Sequence, residues 1–175
     1  MKKHPLIVLC IIASMVYSQK SLAKDQCHIQ EVIDLSVLKK NDYKFYNYTC
    51  ESDLGSYLKG YFGNQTTKVF VGKYSDFAAK SNPELLAVSI YKSKKMKRPL
   101  LITLNSAYYC CIPQIEGNMY QVNFYEINPS GKLSVKNVTN IFGEDANGLE
   151  GNIEGRVYYN YKTISEIKKW LDKNY

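Results

Sequence analysis

The adjacent cysteines Cys110 and Cys111 constrain this chain more than any other feature, because they lie between two strand-like runs. Pro99 to Leu104 leads toward them and Met119 to Ile127 follows, and these runs are rich in the β-branched and aromatic residues that favour strands. Neighbouring residues of a strand point to opposite faces. If each cysteine bonded to a distant partner, the two partners would have to approach from different sides. If they bonded to each other, the chain would have to turn sharply at that point.

The other cysteines are Cys10, Cys27 and Cys50. Cys10 falls within a segment expected to be removed, which leaves an even number, as suits an oxidising compartment. Three pairings of Cys27, Cys50, Cys110 and Cys111 are open. A Cys27–Cys50 bond is favoured; a loop of that length contributes about 3 kcal/mol by restricting the unfolded chain. Cys110 and Cys111 then bond to each other or stay reduced. The rival pairings tie both N-terminal cysteines into the central pair, and sequence does not choose between them.

Export is expected from the first residues. Lys2 and Lys3 precede an apolar run of 11 residues, Leu6 to Val16, and Ser21-Leu22-Ala23 fits a small-x-small cleavage pattern. Residues 1–23 read as a signal peptide and 24–175 as a single β-rich domain; a cut after Ser18 is the alternative. The run falls short of the ~20 residues needed to span a bilayer, and no other stretch is long and apolar enough. The expected location is periplasmic or secreted. Loss of Lys2, Lys3 and Lys20 with no acid lowers the formal charge from +7 to +4, too mild to argue for nucleic acid.

The pattern along the chain predicts an α+β fold: a mainly antiparallel, twisted meander of about six to eight strands, packed by a C-terminal helix and stapled by disulfide. Strands are expected within Cys27 to Lys40, where a short helical turn follows, and at Tyr43 to Thr49, Thr66 to Tyr74 and Leu85 to Tyr91. Further strands are expected at Leu100 to Leu104, Met119 to Ile127, Leu133 to Val138 and Arg156 to Tyr161. Asp53 to Phe62 reads as either a bulged strand or a loop. A helical turn is expected at Phe77 to Ala79, and Gly143 to Gly155 reads as an acidic, glycine-rich loop. Thr163-Ile-Ser-Glu166 is a capping-box pattern, and Ile164, Ile167, Trp170 and Leu171 share one helical face.

Several chemistries have little to work with. His28 is the sole histidine after the leader, so a serine or cysteine nucleophile would have no other imidazole base. The cysteines lack paired C-x-x-C knuckles, so neither a metal nor another cofactor is expected. Asp145-Ala-Asn147 begins like a calcium loop, but Leu149 and the early Gly148 break the pattern.

Three groups remain as candidate contact residues. Lys92, Lys94, Lys95, Lys97 and Arg98 form a basic hairpin tip, which suits an acidic partner, an anionic lipid headgroup or a glycan. The bland reading is a solvated turn that guards strand edges. Tyr108 and Tyr109 beside the cysteine pair form an aromatic corner. Glu144, Asp145, Glu150 and Glu154 are carboxylates that could complement a basic surface or act as an acid–base pair on a sugar.

The function expected from these features is a protein-binding module that blocks a secreted enzyme or toxin. In general design the chain resembles periplasmic immunity proteins that neutralise toxins from competing bacteria. The alternatives are a small exported hydrolase using carboxylates of residues 144–154, or a binder of anionic lipid or glycan through residues 92–98.

Overall fold

The computed structural model describes residues 25–35, 42–76, 78–93, 98–112, 115–128 and 132–175. The expected leader, the helical turn after the first strand and part of the basic tip lie outside the described residues. Two antiparallel sheets form. The first runs β1 (Gln26–Asp34), β2 (Lys44–Ser52), β3 (Gly55–Gly63), β4 (Lys68–Tyr74), each strand beside its sequence neighbour. The second is built on β5 (Glu84–Tyr91), β6 (Leu100–Ile112) and β7 (Ile115–Asn128).

Two later strands share one edge of β7 in succession. β8 (Ser134–Asn137) pairs with Tyr125–Asn128, and β9 (Asn147–Ile153) pairs with Ile115–Gln121. A two-residue strand β10 (Arg156–Val157) closes that side. A 3-10 segment, Thr139–Ala146, joins β8 to β9 and bends at Gly143, whose φ is 59°. Helix α1 (Ile164–Asn174) ends the chain.

The central strand β6 explains the layering. Leu100, Ile102 and Leu104 are buried with Val122 and Phe124 of β7, Phe142 of the 3-10 segment, and Ile167 and Leu171 of α1. The alternate residue Leu101 is buried with Tyr125, Ile127 and Ile90 against Phe45, Phe62 and Val71 of the first sheet. A strand buried on both faces reads as a continuous apolar run. The expected single meander is therefore corrected to two sheets, with the helix covering the far face of the second. Phe62 is wholly buried between the sheets and stacks on Tyr43 at 5.2 Å. Burial of such a ring contributes about 1.5–3 kcal/mol.

The segment 147–153 is a strand rather than a loop. Its glycines suit close approach: the ring of Tyr159 covers Gly148, and Gly151 sits directly opposite Gly117 of β7. Asp53 and Leu54 make a turn, and β3 follows. No helical turn forms at residues 78–79, and of the expected strand Arg156 to Tyr161 only Arg156 and Val157 pair.

The helix begins as its sequence predicts. Thr163 Oγ1 accepts from the Glu166 N–H at 3.3 Å, and the Thr163 N–H donates to Glu166 Oε2 at 3.0 Å. Ile167 and Leu171 are buried, while Trp170 is half-buried beside Phe142 at 4.6 Å. Thr163→Ala is expected to cost about 1 kcal/mol, lowering the melting temperature by roughly 2–4 °C in a calorimetric scan.

Candidate functional site

The side of the first sheet turned away from the second sheet carries an ordered array of side chains. The pairing registers align Val32, Tyr46, Tyr61 and Phe70 in one row across all four strands. The next row is Ile29, Tyr48, Lys59 and Lys73, and the one after it Cys27, Cys50 and Tyr57. On the other side of the aromatic row lie Asp34, Lys44, Gly63 and Lys68. With strands ~4.8 Å apart, each four-strand row spans about 14 Å. Five aromatic rings and four lysines thus share one face.

The face is open and apolar at its centre and edges. Phe70 is 51% exposed, Ile29 50% and Val32 43%. Tyr48 meets Tyr61 edge-to-face at 5.3 Å, and Tyr61 meets Phe70 the same way at 5.6 Å. The two deepest rings are capped by cations: Lys68 Nζ lies 3.8 Å over Tyr46, and Lys73 Nζ 3.8 Å over Tyr57. A depression of about 280 Å³ opens between Cys27, Tyr48, Lys59, Tyr61 and Lys68.

Charge is divided across the face. Asp34 holds Lys44 at 2.8 Å, and Asp25 accepts from the Tyr57 hydroxyl and lies 3.9 Å from Lys59. Both acids belong to the β1 side. Lys59, Lys68 and Lys73 make the β3–β4 side positive. The Lys59 ammonium pKa is raised, first by its hydrogen bond with Tyr57 and against the effect of burial, so its charge persists at neutral pH. Chemically the array offers cations held over rings, apolar contacts and no nucleophile. It is suited to binding.

The residues singled out from sequence do not converge. Arg98 donates to Glu126 at the start of β6, and Lys94, Lys95 and Lys97 lie outside the described residues. Tyr108 and Tyr109 stand toward the opposite end of β6. The Tyr108 hydroxyl donates to Glu116 Oε1 at 3.1 Å; burial, and then a hydrogen bond to Asp76, push the Tyr109 hydroxyl up to about 12. Cys27 pairs with Cys50, its direct cross-strand neighbour, and Cys110 pairs with Cys111. His28 is exposed opposite Thr49. Among the described residues no group of three or more His, Cys, Asp or Glu side chains is placed to hold a metal ion.

The acidic group is also dispersed. Glu144 and Asp145 are exposed in the 3-10 segment, whose Asp145 carbonyl accepts from the Tyr159 hydroxyl at 2.7 Å, and Glu154 occupies a turn at φ 50°. Glu150 is bound to Lys162 at 2.6 Å and accepts from the Tyr159 N–H at 3.3 Å. The Lys162 hydrogen bond, with help from the Tyr159 N–H, holds the Glu150 carboxyl below its ordinary value. A lowered folded pKa stabilises the fold above the unfolded value, and the effect is lost as pH falls through the folded one. The melting temperatures of wild type and Glu150→Gln are therefore expected to differ at neutral pH and to converge as the solution is acidified below the carboxylate range. A gap that stays constant with pH would contradict this.

No known protein family matches this sequence, and no curated protein and no solved structure is significantly similar to it. No helix among the described residues is long and apolar enough to cross a membrane.

Proposed function

We propose that this protein is an exported binding module, not an enzyme, that blocks a secreted enzyme or toxin through the outer face of its first sheet. One observation carries the reading: half-exposed Phe70, Ile29 and Val32 surround tyrosines capped by lysines. Large apolar side chains grouped on an open face, with tyrosine among them, are the composition of protein interfaces. The charge on the β3–β4 side favours an acidic partner surface.

The ring geometry favours protein over sugar or base. Stacking of a base or sugar needs a free π-face. On this face the ammonium groups of Lys68 and Lys73 occupy the faces of Tyr46 and Tyr57, and the Tyr48–Tyr61–Phe70 series is edge-to-face rather than coplanar. Carboxylates of a partner can reach the ammonium heads without displacing them. The twin aliphatic residues at the β1 edge suit apolar protein side chains. Export is supported by the leader pattern and by cysteines at disulfide distance.

The test is comparative capture. Wild-type protein and the double variant Lys68→Glu/Lys73→Glu are immobilised and exposed to fractionated exported proteins, from the host and from neighbouring bacteria. An acidic enzyme or toxin retained by the first and lost by the second supports the reading. Equal retention by both, or loss only when residues 92–98 are altered, would refute it.

A further inference from the structure

We propose that the Cys110–Cys111 disulfide is a thiol-exchange site, opened by an external dithiol while Cys27–Cys50 stays closed. The pair lies in a register break between Tyr109 and Ile112, beside the tip of the β6–β7 hairpin. Cys111 is exposed and Cys110 half-buried, so a thiolate can reach the bond from solvent.

The two disulfides differ in what expels and what holds the sulfur. Attack at exposed Cys27 must release a thiolate at Cys50, which is wholly buried. Burial raises a thiol's pKa and makes it a poor leaving group. Attack at Cys111 releases the half-buried Cys110 sulfur beside solvent. Coupling to folding acts in the same direction. Cys27–Cys50 closes a loop of 23 residues' separation, so the folded state favours its closed form. A bond between sequence neighbours restricts the unfolded chain very little, and folding therefore gives it no comparable protection.

The backbone adds a further term. Cys111 has φ 66°, a region costly for any residue with a Cβ, and opening the ring lets it relax. The change stays local, because the hairpin is clamped just before the pair. The Tyr108 N–H donates to Ser81 Oγ at 2.8 Å, and the Tyr108 carbonyl accepts from the N–H groups of Lys80 at 2.7 Å and Ser81 at 3.2 Å. Opening the disulfide thus reshapes the end of the hairpin and leaves both sheets in place.

The chemistry balances with a dithiol as co-reactant. One thiolate of the dithiol attacks Cys111 Sγ, forms a mixed disulfide and releases Cys110 as thiolate. The second thiol then displaces Cys111, the dithiol leaves as a disulfide, and its two protons end on the two cysteines. Two electrons pass to the protein.

The purified protein is equilibrated in graded ratios of reduced to oxidised dithiothreitol, quenched in acid, alkylated and mapped by peptide mass. Cys110 and Cys111 are expected to label at a ratio at least about tenfold lower than Cys27 and Cys50. The double variant Cys110→Ser/Cys111→Ser is expected to melt within about 2 °C of wild type. Reduction of both pairs in one step would overturn the proposal, as would Cys110 and Cys111 labelling last. So would free thiols at these positions that an oxidant fails to close.

Discussion

Lys68→Glu combined with Lys73→Glu is expected to weaken partner binding by at least about 100-fold, with little change in melting temperature. Reversing a charge opposite an acidic patch replaces attraction by repulsion, and like-charge juxtaposition across an interface costs several kcal/mol. Both side chains are exposed, so the fold loses only their contacts over Tyr46 and Tyr57. A cation–π contact at an exposed site contributes about 0.5–1 kcal/mol. Titration calorimetry with the captured partner at low and high salt reads both effects. Wild-type affinity should fall as salt rises, because exposed charges are screened beyond about 8–10 Å. The variant should bind weakly at every salt concentration. Affinity within a few-fold of wild type would remove the lysines from the interface.

Gly151→Val is expected to give the largest loss of stability of any single change considered. A Cβ at Gly151 would fall onto the carbonyl oxygen of Glu116, with the Cα of Gly117 as the next neighbour. These atoms belong to the facing strand, not to a flexible side chain, so the strands must part. The pairing of β7 with β9 runs from Ile115 to Gln121, and it would open from its centre. The cost should be about 3 kcal/mol or more, lowering the melting temperature by roughly 10 °C. Asn152→Val, one position on and exposed, is the matched control and should change stability by no more than about 0.5 kcal/mol. Equal effects of the two substitutions would mean that the β7–β9 contact is not as close as described.

Features carried by a few consecutive residues were readable. The capping box of Thr163 and Glu166 marked the start of the helix, and Ile167 and Leu171 marked its buried face. The Cys27–Cys50 pairing was expected from its loop length, and it joins directly opposed residues of β1 and β2. Features that depend on pairing between distant segments were not readable. Leu100 to Leu104 looked like any apolar strand, and only the two separate clusters around its odd and even residues reveal layers on both sides. Gly148 and Gly151 looked like loop residues because their reasons, the ring of Tyr159 and the backbone at Gly117, lie elsewhere in the chain.

The binding face shows the same limit. Period-two alternation places Tyr46 with Tyr48, and Tyr57 with Lys59 and Tyr61, on common sides of their strands. That signal was present in the sequence. It could not indicate that Val32 and Phe70 complete the row, because a bulge in β1 and another at Gly60/Tyr61 shift the register. The lysine cluster 92–98 drew attention because its charges are adjacent in sequence, whereas Lys59, Lys68 and Lys73 come together only across strands. Arg98 is already occupied by Glu126 and Glu150 by Lys162, so the most conspicuous charges were partly structural.

Site-specific photocross-linking tests the central claim most directly. Phe70 is replaced by a benzophenone-bearing phenylalanine, and Tyr158, which is 70% exposed on the other sheet's side of the chain, is replaced in a parallel sample as control. On irradiation in the presence of the captured partner, a covalent adduct to an acidic exported protein is predicted from position 70 and none from position 158. Adducts from position 158 with none from position 70 would contradict the assignment of the binding face.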